Sequence, residues 1–136
     1  MTSPVWFGLM TMLAWGFWIV FGNVASDAID PEFAAFISYV VATVVTGAYV
    51  LLTDASMTVS TTGVAFAAAA GFAAAVGVVS TFVGVTVGST TIVATIGGMY
   101  FVSASAISIV ALGESLTATK ALGICFAVVA IVLINQ

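Results

Sequence analysis

One stretch of the sequence decides its fold class: residues 30–52 read DPEFAAFISYVVATVVTGAYVLL. After Glu32, the stretch contains no charged side chain, and it is as long as the ~20 apolar residues that a helix needs to cross a bilayer. Asp30, Pro31 and Glu32 are typical of a helix start, because they suit the N-cap, the first helical position and the positive end of the helix dipole. The stretch therefore predicts a membrane-spanning helix over about residues 33–52.

The composition of the whole chain also indicates a membrane protein. Of the 136 residues, 63% are hydrophobic and 4% are charged, whereas about 25% are charged in an ordinary soluble domain. This balance excludes a soluble globular protein, which needs a polar surface, and a disordered chain, which needs low hydrophobicity. Nucleic-acid binding is also excluded, because the chain has one Lys and neither Arg nor His to meet phosphates.

Polar breaks divide the chain into five apolar segments. The segments are about twice as long as transmembrane β-strands and apolar on every face, so we predict helices instead of a β-barrel. The fold class is therefore an all-α integral membrane protein with five transmembrane helices in a single domain, residues 1–136. The predicted helices cover residues 4–25, 33–52, 62–86, 91–112 and 118–135.

The charges give little information about orientation. Lys and Arg concentrate in cytoplasmic loops, and Lys120, in the predicted turn between the last two helices, is the only such residue. If this turn is cytoplasmic, the N-terminus is inside and the C-terminus outside. Because a bias of one charge is weak, insertion in both orientations stays open.

Small residues recur every three or four positions along the third segment, which keeps them on one helix face. In lipid, small residues let helix backbones approach closely. We predict helix packing at Gly77, Gly84 and Gly88. The alternative is that a helix so rich in Ala and Gly shows such a stripe by chance.

Polar side chains on the other segments are candidates for a substrate pathway. Hydroxyls inside a membrane either bond back to their own helix or face a polar space, and the sequence leaves both roles open. Two Trp residues in the middle of the first segment serve either bundle packing, which we favour, or a substrate wall. The pathway candidates are Trp15, Trp18, Asn23, Ser38, Tyr39, Thr43, Thr91, Thr95, Gly98 and Ser105.

The chain has few residues that suit catalysis or metal binding. The chain has no His and one Cys, Cys125, so we expect no enzyme, no cofactor and no metal. Glu114 lies at a helix end, where it is solvated or paired with Lys120; a proton-coupling role would need a carboxylate within the membrane. The acids between residues 27 and 32 are expected to cap helices and carry surface charge, although a cation site is the alternative.

Two stretches resemble a known family. The first runs from Trp15-Gly16-Phe17-Trp18 to Asp30-Pro31, and the second is Gly113-Glu114-Ser115-Leu116-Thr117 followed by Ala121-Leu122-Gly123-Ile124. In this order and spacing they resemble the EamA repeat of the drug/metabolite transporter superfamily. The Gly113-Glu114 turn is the more specific part.

The resemblance implies both an architecture and a function. Full-length EamA transporters contain two five-helix repeats, which are inverted because the helix number is odd, and their substrates bind near mid-membrane between the repeats. This chain resembles one repeat, as in half-length members. The resemblance therefore implies export or exchange of small, amino acid-like metabolites by alternating access. Many relatives have basic residues where this chain has Asn23 and Ser38, which puts recognition of anionic groups in doubt.

Three functions follow as hypotheses. The first is a transporter assembled from two copies, a homodimer that is antiparallel if both orientations occur, in the plasma membrane of a prokaryote. Its partners are the lipid bilayer and a small-molecule substrate. The second is a non-transporting scaffold or assembly subunit. The third, a proton-coupled multidrug exporter, ranks lowest because no acid lies in the middle of a segment.

Overall fold

The computed structural model describes residues 4–53 and 58–134, and every regular element in these ranges is an α-helix. The predicted all-α membrane fold is confirmed. The predicted end of the last helix at residue 135 lies outside the described residues. The helices are α1 (Pro4–Ala28), α2 (Pro31–Leu52), α3 (Thr61–Val87), α4 (Thr90–Gly98), α5 (Tyr100–Leu112) and α6 (Ala118–Ile134).

Four stretches in these ranges are long and apolar enough to cross a membrane. They are Val5–Ala28, Pro31–Leu52, Thr61–Val87 and Thr90–Ala111, the last of which includes both α4 and most of α5. The remaining helix, α6, is apolar and has 17 residues. At 1.5 Å per residue this is about 26 Å, which is at the short end for a membrane span.

Two helices extend beyond their predicted ends. α1 continues to Ala28, past the predicted end at residue 25, because the polar residues there still form helical bonds. The Ser26 hydroxyl donates to the Gly22 carbonyl at 2.8 Å, and the Ile29 N–H donates to the Ala25 carbonyl at 3.0 Å. α2 begins at Pro31 with Asp30 at the N-cap, although the Asp30 side chain makes no capping hydrogen bond.

The predicted fourth helix is not continuous, which corrects the prediction of one helix over 91–112. Met99 separates α4 from α5, with φ −82° and ψ 11°. Its N–H donates to the Ile96 carbonyl at 3.1 Å and its carbonyl accepts from the Val102 N–H at 2.8 Å, both with the three-residue spacing of a tighter turn. The preceding Gly97 and Gly98 lack side chains and so permit this local change.

The chain divides into two compact units, residues 1–87 and 88–136. In the first unit, α1, α2 and α3 contact one another. Its core contains Ala34 and Ala35 from α2 together with Val78 and Phe82 from α3, and Trp18 of α1 packs against it. In the second unit, α4 contacts α5 and α6, and all side chains described there are at least partly exposed.

Phe82 is the central side chain of the first unit, with 2% of its surface exposed. Its ring lies against the backbone of Gly22, so closely that a Cβ atom at residue 22 would be 2.9 Å from two ring carbons. The Trp18 ring covers Phe82 with a centroid distance of 5.3 Å. Because Phe82 is enclosed in this way, a Cβ atom at position 22 would force its ring to shift.

We predict that Gly22→Ala destabilises the protein by about 1–3 kcal/mol, the usual cost of overpacking a core. Gly16→Ala is the matched control, because a Cβ atom there meets nothing within 4 Å. Thermal unfolding in detergent measures both. A Gly22→Ala protein that unfolds at or above the temperature of Gly16→Ala would contradict the close packing of α1 on Phe82.

Candidate functional site

The polar candidates of the first unit are mostly paired within it. The Trp18 Nε1–H donates to the Ser38 hydroxyl oxygen at 2.8 Å and thereby links α1 to α2. Trp15 meets Trp18 edge-on, with ring centroids 5.1 Å apart, and 51% of its surface is exposed. Trp18 therefore takes part in helix packing, whereas Trp15 lies at the edge of this contact.

Three further hydroxyls of α2 also bond to the protein. Tyr39 reaches α3, where its hydroxyl donates to the Ala74 carbonyl at 3.1 Å. Thr43 donates to the Tyr39 carbonyl at 2.8 Å, and Thr46 donates to Ala42 in the same way. Thr43 and Thr46 line a shallow surface groove with Gly47, but their hydroxyl protons are used within their own helix.

Asn23 differs from these residues. It is half-buried on α1, and its side-chain amide makes no hydrogen bond to the parts of the chain that the structure describes. An amide in an apolar helix without a partner is costly. Among the candidates of the first unit, Asn23 therefore has the strongest need for a partner from outside the unit.

In the second unit, Thr95 and Ser105 are half-buried, while Thr91 and Gly98 are exposed. The nearby Ser103 hydroxyl bonds back to the Tyr100 carbonyl at 2.8 Å. By contrast, the hydroxyls of Thr95 and Ser105 have no hydrogen bond within the described ranges. These two side chains are thus free to meet a polar ligand.

Ser105 lies in a cleft between α5 and α6 with a volume of about 300 Å³. We call this the α5–α6 cleft. Its polar groups are Ser105, Glu114 and Lys120, and the remaining lining is apolar and includes Phe101, Ile109, Leu116 and Ile124. The cleft joins one predicted pathway residue, Ser105, to the carboxylate of the Gly113-Glu114 turn.

The turn between α5 and α6 is built by Gly113, whose φ of +69° lies in the left-handed region that favours glycine. The Gly113 N–H donates to the Ser108 carbonyl, and the Glu114 N–H donates to the same oxygen at 3.3 Å. This is the bonding of a helix that ends in a left-handed glycine. Gly113 thereby directs Glu114 toward the start of α6.

Thr117 caps α6, since its hydroxyl accepts from the Lys120 N–H at 3.3 Å. Lys120 lies in the first turn of α6 and not in the preceding turn, which corrects the sequence-based placement. Its Nζ atom is 3.5 Å from Glu114 Oε2, and both side chains are more than half exposed. An exposed pair of this kind contributes about 0–1 kcal/mol, so its partners can change at little cost.

Of the three predicted packing glycines, Gly77 does not meet a neighbour as closely as Gly22 does. Gly77 is exposed, and a Cβ atom there would meet nothing within 4 Å. Gly84 is half-buried, and Gly88 is exposed just after α3 ends. Packing at these glycines stays a prediction, and at Gly77 it needs a partner from outside the first unit.

Sequence reasoning missed the residues that hold the first unit together. Phe82 is one of ten Phe residues, and nothing in the pattern of α3 distinguishes it. A signal does exist on α1, where Gly22, Ala25 and Ser26 place small residues three and four positions apart. The small residues of α1 therefore mark the helix face that Phe82 of α3 contacts.

We predict that the Trp18–Ser38 hydrogen bond contributes about 0.6 kcal/mol, the average for such bonds between membrane helices. A double-mutant cycle of Trp18→Phe and Ser38→Ala, measured by unfolding in denaturing detergent, gives this coupling. Trp15→Phe with Ser38→Ala is the control, because the Trp15 indole does not bond Ser38. Equal coupling in the two cycles would show that the bond is not formed.

We predict that Gly113→Ala destabilises the turn by about 1–2 kcal/mol, because a Cβ atom disfavours the left-handed conformation. Gly113→Asn restores part of the loss, since Asn tolerates this conformation better. Gly123→Ala, a helical position with open space around it, is the control. Thermal unfolding of the three variants tests the order; a harmless Gly113→Ala would contradict the turn geometry.

The comparison with known protein families agrees with this architecture. The sequence matches the family described as "EamA-like transporter family" over residues 2–136. No match to a curated protein or to a solved structure was found. The resemblance inferred from the two sequence stretches is confirmed: the chain is an integral membrane protein that belongs to the EamA-like transporter family.

Proposed function

We propose that the protein transports small, amino acid-like solutes by alternating access. It acts as a dimer of five-helix repeats, one from each copy of the chain, in the plasma membrane of a prokaryote. The observation that carries the proposal is the family match over residues 2–136. The fold supports it, because four apolar stretches long enough to cross a membrane leave only short connections in the described ranges.

Two copies of the chain are needed for the proposed pathway. Inverted-repeat transporters bind substrate between two repeats of opposite orientation, and the chain matches the family once. A second copy in the opposite orientation supplies the missing half. Dual insertion is compatible with the charges, because Lys120 is the only Lys or Arg and is paired with Glu114.

The pathway residues of the proposal are those with free polar groups. Asn23 in the first unit and Thr95 and Ser105 in the second have no hydrogen-bond partner among the described residues, so a substrate or a second copy can satisfy them. Trp18 and Ser38 bond to each other at 2.8 Å and serve the framework. Exchange or facilitated diffusion is favoured over proton antiport, because Glu114 is exposed in a turn.

We predict that Thr95→Phe reduces transport to background, because a bulky ring fills the space beside a free hydroxyl. Thr11→Phe is the matched control: Thr11 is exposed, and its hydroxyl is already bonded to the Phe7 carbonyl at 2.9 Å. The measurement is counterflow of single radiolabelled amino acids into proteoliposomes preloaded with amino acids. Size-exclusion chromatography confirms that both variants are folded.

Two outcomes would contradict the transporter. If purified protein gives no counterflow with any of the amino acids, the proposed substrate class is wrong. If transport occurs but Thr95→Phe and Thr11→Phe reduce it equally, the pathway assignment is wrong. A protein that transports nothing yet copurifies with another membrane protein would favour the scaffold function.

We predict that an added charge fixes orientation and stops transport. Ser115→Arg biases the α5–α6 turn to the cytoplasm, and Ile29→Arg biases the α1–α2 turn to the cytoplasm. The two variants should therefore insert in opposite directions. Each variant alone should be inactive, and coexpression should restore counterflow. Full activity of either single variant would contradict an antiparallel dimer.

A further inference from the structure

We propose that the α5–α6 cleft binds a phospholipid whose headgroup carries both a phosphate and a primary ammonium group, that is, phosphatidylethanolamine. The site lies within the second unit and shares Ser105 with the proposed pathway, but its test does not depend on transport. Its evidence is the position of the cleft, its charges and its apolar wall.

The cleft opens at the end of two membrane helices. α5 ends at Leu112 and α6 begins at Ala118, so the turn between them is at the surface of the membrane. Glu114 and Lys120 are therefore at the level of lipid headgroups. Ser105 lies seven residues before the end of α5, or about 10 Å deeper, which is where the glycerol ester groups of a lipid follow the headgroup.

The charges of the cleft select a zwitterion. Lys120 is the only Lys or Arg of the chain, and Glu114 lies 3.5 Å from it. A phosphate attracted to Lys120 alone would also be repelled by Glu114, so a purely anionic lipid fits poorly. A zwitterionic headgroup places its phosphate at Lys120 and its ammonium group at Glu114 and satisfies both.

The chemistry of the cation favours ethanolamine over choline. A primary ammonium group donates hydrogen bonds to a carboxylate, whereas the quaternary group of choline has no N–H. Choline is instead recognised by cages of several aromatic rings, and Phe101 is the only aromatic residue that lines the cleft. Since both charged side chains are more than half exposed, they can turn from each other to the headgroup.

The remaining lining suits the glycerol and acyl part of a lipid. Phe101 and Leu116 expose 43% and 52% of their surfaces, and Ile109 and Ile124 are half-buried beside them. Gly123 leaves open space in the wall, because a Cβ atom there would meet nothing within 4 Å. The free hydroxyl of Ser105 can donate to an ester carbonyl.

The test is lipid selection by the purified protein in nanodiscs that contain phosphatidylcholine, phosphatidylethanolamine and phosphatidylglycerol in equal amounts. Native mass spectrometry counts the lipids that stay bound on release. We expect phosphatidylethanolamine to exceed each of the other two by about five-fold, which corresponds to ~1 kcal/mol, the upper value for an exposed ion pair such as the one its ammonium group forms with Glu114.

Variants of the pair should change this selection in different ways. Glu114→Gln leaves Lys120 without an acid, so the preference should shift to phosphatidylglycerol. Lys120→Gln should remove the retention of both phosphatidylethanolamine and phosphatidylglycerol. Glu32→Gln, an exposed acid at the start of α2, is the control and should leave the selection unchanged. A switched preference requires a folded cleft, so it cannot arise from unfolding.

Three results would overturn the proposal: equal retention of the three lipids by the unaltered protein, a selection that Glu114→Gln does not change, or a similar change in Glu32→Gln. Free leucine supplies a further arm. If it displaces the bound phosphatidylethanolamine, the cleft takes a soluble zwitterion and the lipid assignment is wrong. Nanodiscs enclose no compartment, so failed transport leaves this result unaffected.

Discussion

The structure depends on one constraint: a backbone surrounded by hydrocarbon must satisfy its own hydrogen bonds. This chain has six charged residues to offer water, so it forms helices wherever the membrane surrounds it. The same constraint explains why half of the hydroxyls of α1–α3 bond back to their own helix, as those of Thr11, Thr43 and Thr81 do. Polar groups that escape this rule, such as those of Asn23 and Thr95, are consequently the ones most in need of an external partner.

The two units differ in how tightly their helices pack. Lipid is as apolar as the protein interior, so no hydrophobic force drives the helices together. The first unit relies instead on shape, with the Phe82 ring set against Gly22, and on hydrogen bonds between helices, from Trp18 to Ser38 and from Tyr39 to Ala74. The second unit has no comparable buried side chain among those described. Its charged residues lie at one end, where Gly113 turns the chain and brings Glu114 to Lys120.

The sequence predicts the helices well because hydropathy and length decide them almost alone. Polar residues at the ends mislead, since Ser26 bonds within α1 and extends it. Gly97 and Gly98 signal a weak point in the fourth segment, but the exact position of the break at Met99 depends on local bonding. Contacts such as Trp18 with Ser38, 20 residues apart, depend on how α1 and α2 pack. The pathway residues stay predictions, because their role depends on a substrate and a second copy, which one sequence does not specify.

The central claim is that two copies with opposite orientation form one transporter. It is tested most directly by labelling single cysteines in native membranes with an impermeant thiol reagent, in a Cys125→Ala background. Ile29→Cys and Ser115→Cys place the cysteine in the α1–α2 turn and the α5–α6 turn without changing any charge, and the proposed topology puts these turns on opposite sides of the membrane. The account predicts that about half of each variant is labelled from outside. Complete labelling of one variant and none of the other would contradict it.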